Sequence, residues 1–237
     1  MLSLRRARLE ALTLLPMPEA FAHTPPRAFT AFSKRFTDVV VAAILLIVSI
    51  PIWLVAAVLI RLSSPGPILF RQERIGAGGK RFTCYKFRTM HAGASDQAHR
   101  DLVIGMLAEN KRSSDEPRAA YKLIDDPRVI RSCRWLRRTS LDELPQLINV
   151  LRGEMSVVGP RPPLPYEVER YQDWQLERLA VRPGITGLWQ VSGRNRLTYN
   201  EMCALDINYI RSWNLLTDLA IMAMTPWVMF VDGGGAA

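Results

Sequence analysis

Apolar positions are concentrated in one stretch of this 237-residue chain. From Val39 to Ile60 they run for 22 residues without a charge, VVVAAILLIVSIPIWLVAAVLI, and at about 1.5 Å per residue such a helix reaches across the hydrocarbon core of a bilayer. Pro51 interrupts the run two residues after Ser49. A proline inside a helix removes a backbone donor and clashes with the preceding turn, so the pattern predicts a bend there. Basic residues flank both ends, with Arg27, Lys34 and Arg35 before the segment and Arg61, Arg71, Arg74 and Lys80 after it. Basic flanks stay on the cytoplasmic side, so both ends read as cytoplasmic. A re-entrant helix that bends at Ser49–Pro51 and returns to the same face accounts for both features, provided Ser49 or packed protein satisfies the carbonyl that proline frees. A straight span accounts for the length alone.

Beyond this segment the period shortens. ILFRQERIG and KRFTCYKFRTM read as two short strands around Gly76-Ala77-Gly78-Gly79. The glycine loop departs from a P-loop, and Arg81 occupies the third glycine's place in G-x-G-x-x-G, so it reads as a hairpin turn. Residues 91–126 are polar and mixed in charge and predict helix and loop, whereas Leu144, Leu147, Ile148 and Leu151 recur at helical spacing. Near the end, LLTDLAIMAMTPWVMFV is apolar apart from Asp218 and is broken by Thr225-Pro226. It is too short to span, and predicts a helix on a membrane surface or against the first hydrophobic segment, with ordinary core packing also open. Residues 1–30 carry Arg5, Arg6 and Arg8 and then four prolines, and read as a mobile arm; Glu10, Pro16 and Glu19 break any signal-peptide core. The division predicted is an arm over 1–30, a re-entrant segment over 31–61, a folded domain over 62–231 and a flexible tail over 232–237. The fold class is α+β, mainly helical.

Composition narrows the partners. With 49% hydrophobic and 22% charged residues the chain is neither disordered nor a miniature disulfide scaffold. Cys84, Cys133 and Cys203 are odd in number and far apart, which predicts no disulfide framework, no zinc site and a reducing compartment. Net charge is +9, and 26 of the 31 basic residues are arginine. Arginine's planar fork suits phosphate, so nucleic acid, anionic lipid or a phosphorylated substrate is the expected partner, although genome composition alone also raises arginine content.

The densest chemistry lies between Arg128 and Arg161. Arg128, Arg131, Arg134 and Arg137 recur every third residue, on one face if the stretch is helical. They precede Thr139-Ser140-Leu141-Asp142-Glu143-Leu144-Pro145-Gln146. Ser140 with Glu143 fits a capping box, Pro145 fits a first helical turn, and acids belong there in any protein. The same placement also suits a nucleophile. A helix N-terminus and neighbouring arginines keep Asp142 ionised and attract a substrate's phosphates, and an aspartate can then form an acyl-phosphate. Glu143 beside it is a natural Mg²⁺ ligand. Gly159-Pro160-Arg161-Pro162-Pro163 is a stiff loop that fixes an arginine, and RPGITGLWQ and Ser192-Gly193-Arg194-Asn195 follow, their glycines reading as tight turns. His23, His91 and His99 have no metal spacing and receive no role.

At these residues the chain resembles the bacterial sugar transferase family, the monotopic phosphoglycosyl transferases that begin glycan assembly on polyprenyl phosphate. The resemblance covers about residues 30–230. It rests on Lys34-Arg35-Phe36-Thr37-Asp38, FRQERIG, YKFRTM, TSLDELPQLINVLRGEMSVVGPRP and RPGITGLWQVSGRN. It implies a re-entrant helix broken at a Ser/Pro pair, a cytosolic catalytic domain over 62–231 with membrane-interface helices, and a place on the cytoplasmic face of the bacterial inner membrane. It implies a ping-pong reaction in which Asp142 attacks the β-phosphate of a UDP-sugar, UMP leaves, and undecaprenyl phosphate takes the sugar phosphate. Glu143 would bind Mg²⁺, and Arg137, Arg161 and Arg194 fall at the family's phosphate- and nucleotide-contacting arginines. UDP-glucose or UDP-galactose is the expected donor, in exopolysaccharide initiation, with membrane lipid and downstream glycosyltransferases as further partners. Two departures stand out: Ile50 separates Ser49 from Pro51, and the long N-terminal membrane region of larger members is missing, so the chain reads as a small, core-type enzyme.

Two readings of other classes compete. A non-catalytic, membrane-attached scaffold of a polysaccharide export complex would use the basic face for partners, and the intact Asp142–Glu143 pair argues against it. A nucleic-acid binder would use the same arginines on a phosphate backbone, but no nucleic-acid motif accompanies them.

Overall fold

The computed structural model describes residues 28–91, 93, 97–109 and 128–230. The tail over 232–237 and all but the last three residues of the arm lie outside them. The hydrophobic run forms two helices, α1 (Ala28–Val48) and α2 (Ile50–Ser63), meeting at 59°. The break falls at Ser49. Pro51 is the second residue of α2, where its missing N–H costs little, rather than the middle of one kinked helix as its sequence position suggested. The Ser49 hydroxyl donates to Leu46 O at 3.1 Å, and its backbone bonds on both sides persist, from Ser49 N to Leu45 O (2.9 Å) and from Trp53 N to Ser49 O (3.0 Å). With Ile50 intervening, the serine still faces back along α1. Among the described residues no single helix is long and apolar enough to cross a membrane, while the bent pair together has that length and composition.

Lys34 and Arg35 had read as flanking charge, and the fold uses them internally. Lys34 Nζ donates to Val158 O (2.9 Å) and to the buried Asp218 (2.7 Å). Arg35 donates to Val150 O (2.6 Å) and Leu151 O (2.9 Å), the last carbonyls of helix α5 (Gln146–Arg152), where a cation suits the helix C-terminus. Asp38, one helical turn on, accepts from Ser156 Oγ (2.8 Å) and Val157 N (3.0 Å).

After α2, Gly66 turns the chain at φ +119°, and the Arg88 guanidinium occupies the space a side chain there would need, donating to Ser64 O and Pro65 O. Strands β1 (Leu69–Ile75) and β2 (Arg81–Phe87) form the expected antiparallel hairpin, with Leu69 opposite Phe87 and Ile75 opposite Arg81. Helix α3 (Gln97–Glu109) lies in the polar stretch. The arginine repeat is not one helix: Arg131–Cys133 is a 3₁₀ turn and α4 is only Arg134–Arg138. Arg131, Arg134 and Arg138 are exposed there, and Arg137 is half-buried.

The remaining chain is α5, β3 (Ser156–Val158), α6 (Pro165–Val168), a 3₁₀ stretch over Asp173–Ala180, β4 (Gly184–Thr186), α7 (Leu188–Ser192), α8 (Tyr199–Arg211) and α9 (Leu215–Phe230). A Thr198–Glu201 capping box starts α8. β3 and β4 pair in parallel, Ser156 with Gly184 and Val158 with Thr186. Here the glycines act differently from the tight turns expected: a Cβ on Gly159 would lie 2.7 Å from Arg182 O, and one on Gly184 would meet Gly159 itself, so they permit close backbone approach. Helix α9 joins the core: Ile221 and Met222 pack in one cluster with Val41 and Ala42 of α1, Val157 and Val158. Among the described residues the fold is mainly helical with two small sheets, in keeping with the α+β class that the sequence predicts.

Candidate functional site

The acidic pair is placed by a reversal of the chain. Thr139 closes α4, its hydroxyl donating to Trp135 O at 2.7 Å, and Ser140 then takes the left-handed conformation at φ 55°. The capping box expected from Ser140 and Glu143 does not form, because Ser140 has no capping side-chain bond and residues Leu141–Glu143 are a 3₁₀ turn ahead of α5. Pro145, at φ −62°, is the residue before α5 rather than part of its first turn. Leu141 and Leu144 on either side pack into a cluster with Ala56 and Ile60 of α2, Phe87 and Leu136. That burial draws Asp142 inward to 4% exposure. Glu143 faces β2, where Lys86 Nζ meets its Oε1 at 2.7 Å, both side chains about one-fifth exposed.

Helix α5 is tied to the same strand through Asn149, which is fully buried. Its Oδ1 accepts from Tyr85 N (3.1 Å), and its Nδ2 donates to Thr83 O (2.7 Å) and Glu154 (2.6 Å). Buried polar groups so satisfied fix one register between helix and strand.

Arg161 stands on the proline loop between β3 and α6, its Nη1 3.4 Å from Glu167 Oε1, a carboxylate with no exposure. Arg74 of β1 lies beneath, donating Nη1 to Pro162 O at 2.7 Å and Nε and Nη2 to Gln72 Oε1 at 3.1 and 2.8 Å. Burial and then Arg161's charge push the Arg74 pKa down, and Glu167 and Glu143 oppose them. Burial likewise raises the Cys84 thiol, opposed first by Lys86 and then by Arg74. Glu143, Lys86, Arg74 and Arg161 thus share one electrostatic neighbourhood. Arg137 belongs to α4, which packs against the 3₁₀ turn. Arg194 belongs to a different element, the loop after α7, in a left-handed conformation at φ 48°, with its Nε donating to Gln190 O at 3.0 Å.

Arg74 and Lys86 were not recognised as part of the site from the sequence. Both sit in strand-like runs, where Arg74 reads as flanking charge and Lys86 receives no role, and only the register that sets Arg74 opposite Phe82 and Lys86 opposite Phe70 places them. Behind Arg161 lies a second, fully internal network. Arg178 meets Asp206 at 2.7 Å and Tyr171 OH at 2.6 Å, and Tyr171 OH meets Tyr199 OH at 2.9 Å. Tyr199 OH reaches Glu167 Oε2 at 3.3 Å. Burial pushes Asp206 up to about 6 against the pull of Arg178.

No cluster of three or more metal-binding side chains occurs among the described residues. Mg²⁺ asks for less, since one or two carboxylates and the substrate's own phosphates complete its shell. Adjacent Asp142 and Glu143, with cations beside them to hold phosphate, are a donor set of that kind.

Residues 29–232 match the family model described as bacterial sugar transferase. The exopolysaccharide production protein ExoY of Sinorhizobium fredii is 43% identical over 200 residues, covering 84% of this chain and 86% of ExoY. The galactosyl transferase CpsE of Streptococcus agalactiae is 40% identical over 205 residues, 85% of this chain and 43% of CpsE. The UDP-glucose:undecaprenyl-phosphate glucose-1-phosphate transferase of Escherichia coli is 36% identical over 234 residues, 95% of this chain and 46% of that protein. The chain therefore spans most of ExoY and less than half of the other two. It is an enzyme of the phosphoglycosyl transferase class. It belongs to the bacterial sugar transferase family.

Proposed function

We propose that this enzyme transfers a sugar 1-phosphate from a UDP-sugar to undecaprenyl phosphate, through a covalent intermediate on Asp142, to begin exopolysaccharide or glycan assembly. The observation that carries the reading is the sheltered Asp142 in a turn whose next residue is a carboxylate 2.7 Å from Lys86 Nζ. Phosphoryl transfer asks a protein chiefly for position and for cations around the transferring group. An Asp142 carboxylate oxygen attacks the sugar-bearing β-phosphorus, the bond from that phosphorus to the bridging oxygen breaks, and UMP leaves with that oxygen. An oxygen of undecaprenyl phosphate then attacks the same phosphorus and Asp142 departs as a carboxylate. Arg137, Arg161 and Arg194 hold phosphate and nucleotide. Glu143, with Asp142, would hold Mg²⁺, which when bound neutralises charge on the diphosphate.

The bent pair α1 and α2 is read as a re-entrant membrane segment on the cytoplasmic face of the inner membrane. Ile47, Val48, Leu54 and Leu62 at and beyond the bend are each more than half exposed, as are Leu216 and Trp227 of α9. Exposed apolar side chains of this kind support a membrane contact. The acceptor's isoprenoid tail gives the reason for that contact. Names of the relatives favour glucose or galactose as the donor sugar.

The test is UMP release by purified enzyme given a panel of UDP-sugars, with and without undecaprenyl phosphate and Mg²⁺. Mass spectrometry of enzyme given donor alone should find a hexose-phosphate on the peptide containing Asp142. Absence of UMP release from every donor would favour the scaffold alternative.

A further inference from the structure

The loop carrying Arg161 has prolines at 160, 162 and 163, so it offers few N–H groups and cannot organise its own carbonyls. Each carbonyl from Pro160 to Pro163 nevertheless receives a donor from elsewhere. Gly184 N reaches Pro160 O at 2.8 Å, Arg178 Nη2 reaches Arg161 O at 3.5 Å, Arg74 Nη1 reaches Pro162 O at 2.7 Å, and Ile75 N reaches Pro163 O at 3.0 Å. Two of the four are buried guanidinium groups. Their charges are balanced differently. Arg178 has Asp206 at 2.7 Å, whereas the hydrogen-bond acceptors of Arg74 are the neutral oxygens of Gln72 and Pro162. A buried cation with no carboxylate in hydrogen-bond contact is costly, and the like charge of Arg161 adds to a cost that Glu167 and Glu143 offset only from further away. An anion arriving over Arg161 offsets it.

We propose that Arg74 is a positioning residue for Arg161: buried and bonded to Pro162 O, it fixes the loop, so that the donor's diphosphate meets an Arg161 already in place. This rests on the reading that Arg161 contacts the donor's phosphates. Preordering matters because a flexible arginine loses rotamer freedom on binding, and a loop fixed beforehand removes part of that loss.

The experiment is a double-mutant cycle on the full chain in nanodiscs, read by UMP release from UDP-glucose and UDP-galactose and by melting temperature. It compares Arg74→Gln, Arg74→Lys, Arg161→Ala and the double variant Arg74→Gln/Arg161→Ala, with the exposed Arg81→Ala as control. Arg161→Ala is expected to lower kcat/KM roughly ten- to a hundredfold, as loss of a charge-assisted hydrogen bond does. Arg74→Gln should raise KM about tenfold and move kcat less, and Arg74→Lys should recover part of that loss because it keeps the charge and one donor. In the Arg161→Ala background Arg74→Gln should add less than about threefold, since it acts through the residue already removed. Fully additive losses, or an Arg74→Gln that changes melting temperature but not KM, overturn the proposal while leaving the site intact. Wild-type kinetics in Arg161→Ala overturn the reading of the site itself. If Arg74→Gln fails to fold, Arg74→Lys carries the same cycle, with a smaller KM rise required in the wild-type background and none in the Arg161→Ala background.

Discussion

At the scale of single residues, the two acids that neighbour each other in sequence have different surroundings. Asp142 is drawn inward by the burial of Leu141 and Leu144, and Glu143 is turned to Lys86. Asp142→Asn keeps the shape and removes the nucleophile, so turnover should vanish with little change in melting temperature. Near-normal UMP release from that variant would falsify the covalent mechanism. Glu143→Gln should be severely impaired, with a changed Mg²⁺ dependence. Losses at Arg161→Ala and Arg194→Ala should correspond to about 1.5–3 kcal/mol, against almost nothing for the exposed Arg81→Ala, and equal small effects at all three would return the arginines to ordinary solvated surface. Asp206 gives a pH signature. Burial raises it from an ordinary 3.8 to about 6, so between those values the folded chain holds a proton that the unfolded chain has released. Stability therefore falls as pH climbs through that window and levels off above it. Melting temperatures of wild type relative to Asp206→Asn should decline from pH 4 to pH 6.5; parallel profiles would mean that Arg178 outweighs burial.

Among elements, the bend between α1 and α2 bears most directly on activity. α2 lies under the turn carrying Asp142, since Ala56 and Ile60 belong to the cluster that holds Leu141 and Leu144, and Trp53 packs edge-on to Phe87 at 4.9 Å. Arg88 closes the other end of α2 onto β2. A change in the angle of α2 is therefore passed to the turn carrying Asp142. Pro51→Leu restores a backbone donor and allows one continuous helix. It should lower activity although no reacting group has changed, and should push the segment toward a straight span. Lys34 and Arg35, bonded to Asp218, Val158, Val150 and Leu151, hold α1 to the domain, so a mixed population is expected more than an inversion. Unchanged kcat and an unchanged topology in Pro51→Leu would separate the bend from catalysis.

For the whole molecule, the bent pair and α9 expose apolar side chains, among them Ile47, Val48, Leu54, Leu62, Leu216 and Trp227. On the re-entrant reading, that surface lies in a bilayer. If the segment is re-entrant, tags at the N-terminus and after Val231 should both be accessible from the cytoplasm and protected from the periplasm. A periplasmic N-terminus in the native protein would replace the re-entrant reading with a spanning one. The anchor also carries stability: Lys34→Met leaves the fully buried end of Asp218 with only Tyr209 and Trp213, at 2.6 and 3.0 Å, and should destabilise the fold by about 3 kcal/mol, checked by thermal unfolding in detergent.

The sequence by itself determined the class of fold, the β1–β2 hairpin, the presence of a break near Ser49 and Pro51, and the candidate carboxylates. These rest on local pattern: an uncharged run, strand alternation, a proline, two acids in succession. The parallel pairing of β3 and β4, the close contacts of Gly159 and Gly184, and the internal use of Lys34, Arg35 and Asp218 join residues far apart in the chain, so only tertiary packing could decide them. The same holds for the capping box at Ser140, which local chemistry allowed. In the fold Ser140 is left-handed, Leu141 and Leu144 pack against α2, and Asp142 between them is buried. Arg74 and Lys86 entered the site for the same reason: a strand's register and the element packed on it decide where each charge points, and neither is written in the spacing of the charges themselves.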